Sequence, residues 1–258
     1  MLRNRTALVT GATGGIGEAF ARAFATAGCN VVFNGFGDGA AIDKFKAELE
    51  SHGGGVLYHA ADNAKPAEIT AMVEAARSRF GAIDIVVNNA VTRYFAPVEE
   101  FPAEKWDLAL AVNLSAAFHT IRLTLPGMKQ RNWGRIINMA SIHATNVVPN
   151  RVDYVTTKHA IVGLTRSVAL EVAPTGVTCN ALSPGLVLTP NCERQIAQKV
   201  AEGKTREQAI KEMLDIRQPS RRMIMPAEVA QLGLFLCSDA AANINGADLP
   251  IDGGWAVQ

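Results

Sequence analysis

The chain has 258 residues, of which 48% are hydrophobic and 19% charged, so it can bury a substantial core without disulfides or a structural metal. Its 25 basic and 24 acidic residues give a formal net charge of +1, which offers no reason to expect a nucleic acid or an anionic membrane as partner. The four cysteines are scattered, with no CxxC pair and no histidine at ligand spacing, which argues against a zinc site or a disulfide framework. A small molecule is therefore the expected partner.

The N-terminal segment leads directly into a short apolar run that ends at a glycine. This run is too short for the core of a signal peptide. No later stretch approaches the roughly 20 consecutive apolar residues of a spanning helix. We therefore expect a cytoplasmic protein with no membrane partner.

Short β-branched runs alternate along the chain with longer stretches whose apolar residues recur at helical spacing. The predicted strands are Ala7–Thr10, Val31–Asn34, Val56–Ala60, Ile83–Asn88, Arg135–Met139, Val177–Leu182 and Ala247–Ile251. The predicted helices are Ile16–Ala27, Ala40–His52, Pro66–Phe80, Lys105–Met128, Asp153–Ala173 and Ala227–Ser238. Because the strands are continuous apolar runs, both faces of the sheet should be covered. The sequence thus predicts an α/β fold, a Rossmann-type doubly wound parallel sheet in a single domain over residues 1–258.

Residues 188–225 interrupt this alternation. They contain two amphipathic, charge-rich segments near Cys192–Glu202 and Arg206–Arg217 that read as a pair of helices. Ligands of doubly wound sheets bind beyond the carboxyl ends of the strands, and an insertion after the sixth strand would lie over that edge. We interpret the segment as a helical substrate lid.

The first predicted strand ends in Thr10-Gly11-Ala12-Thr13-Gly14-Gly15-Ile16-Gly17 and opens directly into a helix. Glycines at such a junction let the backbone turn tightly and approach a pyrophosphate, while the helix N-terminus offers free N–H groups. The segment therefore predicts dinucleotide binding rather than a plain strand-to-helix turn.

Three motifs together resemble the short-chain dehydrogenase/reductase family: the Gly-x3-Gly-x-Gly spacing, Asn88-Asn89-Ala90 after the fourth strand, and Tyr154-x3-Lys158. Asn113, Ser141 at 13 residues before Tyr154, and Ser183-Pro184-Gly185 also stand where this family has them, so the resemblance covers the whole chain. It implies a nicotinamide cofactor, a catalytic set of Asn113, Ser141, Tyr154 and Lys158, and a homotetramer built on the helices near Asn113–Met128 and Asp153–Ala173.

The Tyr154 and Lys158 pair has a physical rationale. Oxidation of a secondary alcohol needs a base within hydrogen-bond reach of the hydroxyl, and a phenol with a pKa of about 10 is a poor base. A lysine at i+4 lies on the same helix face and favours the phenolate. Ser141 would hydrogen-bond the substrate oxygen, and in the family Asn113 holds a water that links Lys158 to solvent. The competing class, an NAD-sensing binding protein with an inactive site, usually lacks the tyrosine or lysine that this chain retains.

The residues that should line the cofactor follow from the glycine loop and from the resemblance. They are Gly11, Thr13, Gly15, Ile16, Gly17, Phe36, Asp62, Asn63, Asn89, Ala90, Tyr154, Lys158, Pro184, Gly185 and Val187. No basic side chain stands in residues 34–38 or in the glycine loop to pair with a 2′-phosphate, so we expect NAD. The acid usual for NAD enzymes is also absent at Gly35, and Asp62 alone is open to interpretation as a helix cap ahead of Pro66.

Further segments resemble one branch of the family, the bacterial D-3-hydroxybutyrate dehydrogenases. These are Asn34–Asp38, Glu104–Asp107, Asn113–Ala116, Gln195-Ile196 and Leu249–Trp255. The resemblance implies NAD-dependent, reversible oxidation of a short 3-hydroxy carboxylate, D-3-hydroxybutyrate to acetoacetate. Another 3-oxoacid or 3-oxoacyl thioester reductase of the same family is the alternative.

The substrate-binding candidates form a polar and cationic set around the predicted cleft. They are Arg93, Ser141, His143, Arg151, Gln195 and Trp255. Arg93 stands where the branch has glutamine, Arg151 where it has lysine, and Val91 replaces a glycine. Two guanidiniums can clamp a carboxylate, which favours an anionic 3-hydroxy or 3-oxo acid. The arginines as solvated loop residues, His143 as a structural histidine and Trp255 as C-terminal packing remain alternatives, and no metal is expected.

Overall fold

A computed structural model describes residues 2–257 of the chain; Met1 and Gln258, the ends of the predicted domain, lie outside the described residues. Its centre is a seven-stranded sheet in the order β3-β2-β1-β4-β5-β6-β7, and every neighbouring pair is parallel. The strands are β1 Thr6–Val9, β2 Asn30–Asn34, β3 Val56–His59, β4 Ile85–Asn88, β5 Gly134–Met139, β6 Val177–Pro184 and β7 Asp248–Ile251. All seven predicted strands are confirmed.

Nine α-helices are found among residues 2–257. They are α1 Gly15–Thr26, α2 Gly39–Glu50, α3 Pro66–Phe80, α4 Ala103–Leu110, α5 Ala116–Gln130, α6 Val152–Val172, α7 Pro190–Ala201, α8 Arg206–Asp215 and α9 Pro226–Leu236. The predicted helix Lys105–Met128 lies within one continuous helical stretch, Ala103–Gln130, in which an unpredicted π-helical turn at Ala111–Ser115 joins α4 to α5. Such a turn inserts a residue without interrupting the apolar pattern, so periodicity alone passes over it.

Adjacent residues of each central strand point to opposite faces of the sheet, and each face has its own core. Val9 and Phe33 pack with α1, α2 and α9 on one side. Leu8 and Val32 pack with α3, α5 and α6 on the other. Both faces of the sheet are therefore covered, which confirms the doubly wound architecture.

The predicted lid consists of two helices, α7 and α8, that follow β6. Thr189 caps the N-terminus of α7 through its side chain, and Thr205 forms a capping box with Gln208 at the start of α8. The two helices share a small apolar cluster that includes Ile196 and Met213. Their helical structure is as predicted, and their function as a lid stays a prediction.

One stretch of the described chain, Ala103–Gln130, is long and apolar enough by composition to cross a membrane, which the sequence analysis did not anticipate. It contains the π-helical turn, and its α5 part packs against α3, β4 and β5. We interpret the stretch as a helical layer of the α/β fold, with part of its apolar surface exposed.

Candidate active site

The glycine loop between β1 and α1 is shaped by close backbone contacts. Gly11 has a φ of 61°, and a Cβ at Gly17 would lie 2.3 Å from the carbonyl oxygen of Gly11. The side-chain amide of Asn89, after β4, donates to the carbonyls of Thr10 at 3.0 Å and of Gly11 at 2.8 Å. Asn89 therefore braces the loop from the neighbouring strand, a role that the sequence analysis did not assign to it. The resulting cradle at a helix N-terminus fits a dinucleotide pyrophosphate.

A second set of polar side chains joins the carboxyl ends of β2 and β3. Asn34 accepts a hydrogen bond from the amide of Asn63 at 2.7 Å, and its own amide donates to the carbonyls of His59 and Ala61. The Oδ1 atom of Asn63 is buried and has no partner among the described residues. A buried acceptor left free at this position fits a ligand that donates a hydrogen bond, such as the amine of an adenine.

Asp62 lies beside this set and is engaged locally. Its carboxylate accepts from the backbone N–H of Ala64 at 2.9 Å and lies 3.7 Å from Nζ of Lys65. Asp62 is thus engaged in a local turn ahead of α3 but does not cap that helix, and its contact with a cofactor stays a prediction. The N-cap position of α3 is Lys65 itself, without a side-chain cap.

The segment after β2 carries the candidate ribose contacts. Thr13 donates to the carbonyl of Phe36 at 2.7 Å, and a Cβ at Gly35 would lie 2.6 Å from Oγ1 of Thr13. The acid that NAD enzymes usually place at this position therefore has no room here. The Phe36 ring is 67% exposed, and Asp38 caps α2 by accepting from the N–H of Ala41. The segment presents an apolar ring and a carboxylate, with no cation.

Tyr154 and Lys158 lie one turn apart on α6, and both are buried. Nζ of Lys158 lies 5.5 Å from the ring centroid of Tyr154 and donates to the carbonyl of Met139 at the end of β5. Ser141 follows β5 and lines the same cleft as Tyr154. The predicted base, cation and oxygen-binding hydroxyl are thus brought together at one sheet edge.

The charges around Tyr154 compete with its burial. Burial raises the pKa of the phenol, but the positive charges of Arg93 and Lys158 and the nearby Ser141 hydroxyl outweigh it, and the net pKa is below the ordinary value. For Lys158, burial lowers the pKa, the nearby Tyr154 raises it and Arg93 lowers it, and the result is a lowered pKa. The site favours the phenolate that a general base needs.

Asn113 lies on the π-helical turn and fastens the loop after β4 to the catalytic helix. Its Oδ1 accepts from the N–H of Thr92 at 2.8 Å, and its Nδ2 donates to the carbonyl of Thr92 at 3.0 Å and to Oγ1 of Thr157 at 3.2 Å. Unusual helical turns of this kind often lie at functional sites. The bonds give Asn113 a bracing role, while its part in a proton relay stays a prediction.

One wall of the cleft is aromatic. The rings of His143 and Trp255 meet edge to face with centroids 5.5 Å apart, and His143 meets Tyr154 in the same way at 6.1 Å. Burial is the main cause of the lowered pKa of His143. Trp255, near the C-terminal end of the described chain, thus packs directly on His143 in the catalytic pocket.

A single cleft collects most of the predicted side chains. Among the predicted residues, its lining includes Ile16, Asn89, Arg93, Ser141, His143, Arg151, Tyr154, Lys158, Pro184, Gly185, Val187, Gln195 and Trp255. The other predicted residues lie outside this lining: Gly11, Thr13, Gly15, Gly17, Phe36, Asp62, Asn63, Ala90 and Asn113. The arrangement is a substrate pocket around Tyr154 that opens toward the glycine loop through Ile16.

The cleft also contains an arginine that the sequence analysis did not single out. Arg217, after α8, lines it together with Arg93 and Arg151. No ion pair of the described residues involves any of these three side chains. Burial is the main cause that lowers the pKa of Arg151, and the charges of Arg93 and, to a smaller extent, Arg217 lower it further. Three guanidiniums without a carboxylate make the pocket strongly favourable for an anion.

Comparison with known proteins places the chain among oxidoreductases. A family model described as Enoyl-(Acyl carrier protein) reductase matches residues 11–256. D-beta-hydroxybutyrate dehydrogenase of Cupriavidus necator is 49% identical over all of this chain and all of its own length. The enzyme of the same name from Rhizobium meliloti is 48% identical over 98% of this chain and 99% of its own. Among solved structures, L-sorbose reductase from Gluconobacter frateurii, complexed with NADPH and L-sorbose, has a TM-score of 0.94 and 32% identity, covering 100% of this chain and 98% of its own.

Proposed function

The chain belongs to the short-chain dehydrogenase/reductase family of oxidoreductases, and we propose that it oxidises D-3-hydroxybutyrate to acetoacetate, reversibly and with NAD. The observation that carries the proposal is the pairing of a phenolate-favouring Tyr154 with a cleft that contains three arginines free of carboxylates. The full-length likeness to two D-beta-hydroxybutyrate dehydrogenases supports the same substrate.

The residues of this chain hold the substrate oxygen and accept its hydroxyl proton. In the direction of oxidation, the Tyr154 phenolate accepts the hydroxyl proton of the substrate, and Ser141 holds the substrate oxygen by a hydrogen bond. Lys158 stabilises the phenolate through its positive charge. When bound along the glycine loop, a nicotinamide dinucleotide supplies the acceptor for the hydride.

The acid group of the substrate would lie on the cationic side of the cleft. Arg151 and Arg217 offer planar guanidiniums that can bind a carboxylate in bidentate fashion, and His143 and Gln195 offer further polar contacts. A hydrogen bond to a charged partner contributes roughly 1.5–3 kcal/mol, which is enough to separate a hydroxy acid from a neutral alcohol.

The preference for NAD belongs to the same proposal. It is supported by the lack of a basic side chain in residues 34–38, and by Asp38, whose negative charge next to Phe36 would repel a 2′-phosphate. We also assign the protein to the cytoplasm, because its four cysteines are buried and unpaired, as in a reducing compartment.

Substrate profiling tests the proposal directly. The purified protein is assayed with D- and L-3-hydroxybutyrate, a neutral secondary alcohol of equal length and, in the reverse direction, acetoacetate and a short 3-oxoacyl thioester, each with NAD(H) and NADP(H). We expect the highest kcat/KM for D-3-hydroxybutyrate with NAD. A preference for the thioester would favour the reductase alternative, and NAD binding without turnover of any substrate would favour a sensing protein.

A further inference from the structure

Two cations flank the Tyr154 hydroxyl from different parts of the fold. Lys158 approaches from its own helix, α6, and Arg93 approaches from the loop after β4. Nη2 of Arg93 lies 3.5 Å from the Tyr154 hydroxyl oxygen, and its Cζ lies 4.8 Å from the centroid of the ring, closer than Nζ of Lys158 at 5.5 Å. We propose that Arg93 is a second cationic partner of the Tyr154 phenolate, so that the base of this enzyme is activated by two positive charges rather than by lysine alone.

The position of Arg93 is fixed by its neighbours in the chain. Thr92 is held by the two hydrogen bonds of its backbone with Asn113. The N–H of Tyr94 donates at 3.1 Å to the carboxylate of Asp153, the residue directly before Tyr154 on α6. The loop is thus anchored to the π-helical turn on one side of Arg93 and to the catalytic helix on the other. The anchored backbone of this loop therefore positions Arg93 beside Tyr154.

Other charged and titratable groups near Tyr154 lie farther away or act less directly. Cζ of Arg151, before α6, lies 6.0 Å from the ring centroid, and the ring of His143, after β5, lies at 6.1 Å. Arg217, after α8, acts on His143 and Arg151. The carboxylate of Asp153 accepts a hydrogen bond from the backbone N–H of Tyr94. Arg93 and Lys158 are therefore the two cations that dominate the surroundings of the hydroxyl.

The two cations differ in how firmly they keep their charge. Lys158 is buried, and burial lowers its pKa, so its proton is the easier one to lose. A guanidinium stays protonated throughout the working range of a protein. Arg93 would then maintain a positive charge at the phenolate even where Lys158 begins to titrate. Because Arg93 is itself exposed, salt should weaken its effect.

The inference rests on Tyr154 as the base in the proposed function, but the test does not need turnover. The tyrosinate absorbance of the ligand-free protein is titrated with pH, and the curve of Tyr154→Phe is subtracted to remove the other two tyrosines. In Arg93→Gln, the Tyr154 midpoint should rise by about one pH unit, a modest value because the lost charge is partly screened by solvent. Arg93→Lys, which keeps the charge, should restore most of the shift, and high salt should raise the wild-type midpoint.

Arg217→Gln is the matched control, since it removes a guanidinium from the same cleft that is not among the charges acting on Tyr154; its Tyr154 midpoint should equal that of the wild type. The pH profile of kcat/KM for a neutral secondary alcohol should shift with the titration, with a rate about tenfold lower on the acidic side in Arg93→Gln. An unchanged midpoint in a folded Arg93→Gln protein would overturn the inference, even if turnover of 3-hydroxybutyrate fell. A shifted midpoint in a protein that turns over no hydroxy acid would uphold it and refute the proposed function instead.

Discussion

Arg151 is half-buried in the cleft without a carboxylate partner, near two other guanidiniums whose charges lower its pKa. An anionic substrate relieves this repulsion. We predict that Arg151→Ala lowers kcat/KM for 3-hydroxybutyrate by about tenfold to hundredfold, the equivalent of one lost charge-assisted hydrogen bond. Slow turnover of a neutral secondary alcohol, which makes no such contact, should barely change.

Steady-state kinetics on both substrates measure this difference, and Arg151→Lys, which keeps the charge but loses the bidentate fork, should fall between wild type and alanine. Equal losses on the acid and the neutral alcohol would mean that Arg151 acts through structure or through its charge on Tyr154, and not by binding the carboxylate. A wild type that prefers the neutral alcohol would remove the hydroxy-acid assignment.

Tyr154 bears the proton chemistry and has no assigned part in holding the pyrophosphate. We expect Tyr154→Phe to reduce kcat by about 10²–10⁴-fold, the usual contribution of a general base, with NAD affinity nearly unchanged. Calorimetric titration with NAD, beside the kinetic assay, separates the two quantities. Loss of NAD binding together with activity would indicate that the hydroxyl has a folding role.

Phe36 offers a direct test of cofactor preference, because its ring is exposed and its replacement removes little from the core. Phe36→Arg places a guanidinium beside the predicted ribose site. The kcat/KM with NADP should rise by about tenfold to hundredfold, as expected for a charge-assisted bond to a phosphate. Phe36→Ala, the uncharged control, should not raise it, and a wild type that already uses NADP as well as NAD would contradict the assigned preference.

The helices and strands could be predicted from the sequence wherever the signal that specifies them is local. Strands such as β2 and β4 contain short continuous apolar runs, and the glycine loop and Tyr154-x3-Lys158 carry their geometry in their spacing. The π-helical turn was missed because apolar residues continue through it. Arg217 was missed because its place depends on a contact distant in sequence: the neighbouring Gln218 accepts from the N–H of Leu186 at 2.8 Å, which ties the end of α8 to the strand edge.

The junction of the glycine loop with α1 predicts a sharp contrast between two glycines. A Cβ at Gly17 would lie 2.3 Å from the carbonyl oxygen of Gly11, whereas a Cβ at Gly39, at the start of α2, would meet nothing within 4 Å. Gly17→Ala should therefore lower the free energy of unfolding by about 1–3 kcal/mol and weaken NAD binding. Gly39→Ala, the matched control, should leave both unchanged or stabilise slightly. Urea denaturation and NAD titration give the two values, and a neutral Gly17→Ala would show that the loop relaxes more easily than its contacts suggest.

In the whole molecule, α5 and α6 each leave an apolar side chain in solvent. Phe118 is 47% exposed and Leu170 is 79% exposed. A groove between the helices has apolar and charged residues in its lining: Phe118, Ile121, Leu125, Pro126, Leu164 and Val168, with Arg122, Lys129, Ser167 and Glu171. Exposed apolar side chains beside a groove are typical of an interface, and the expected homotetramer would cover them with a second copy of the same helices.

The expected tetramer can be tested at Leu170, an exposed residue of α6. If two copies meet across the α5 and α6 face, Leu170→Arg removes the burial of a leucine, roughly 1.5–3 kcal/mol, from each copy and sets charges within an apolar contact. We expect sedimentation velocity to show a tetramer for the wild type and a smaller species for Leu170→Arg at the same concentration. Val98→Arg alters another exposed apolar residue outside this face and should leave the tetramer intact. A wild type that stays monomeric and active on dilution would refute the predicted assembly, whereas a Leu170→Arg tetramer would place the interface elsewhere.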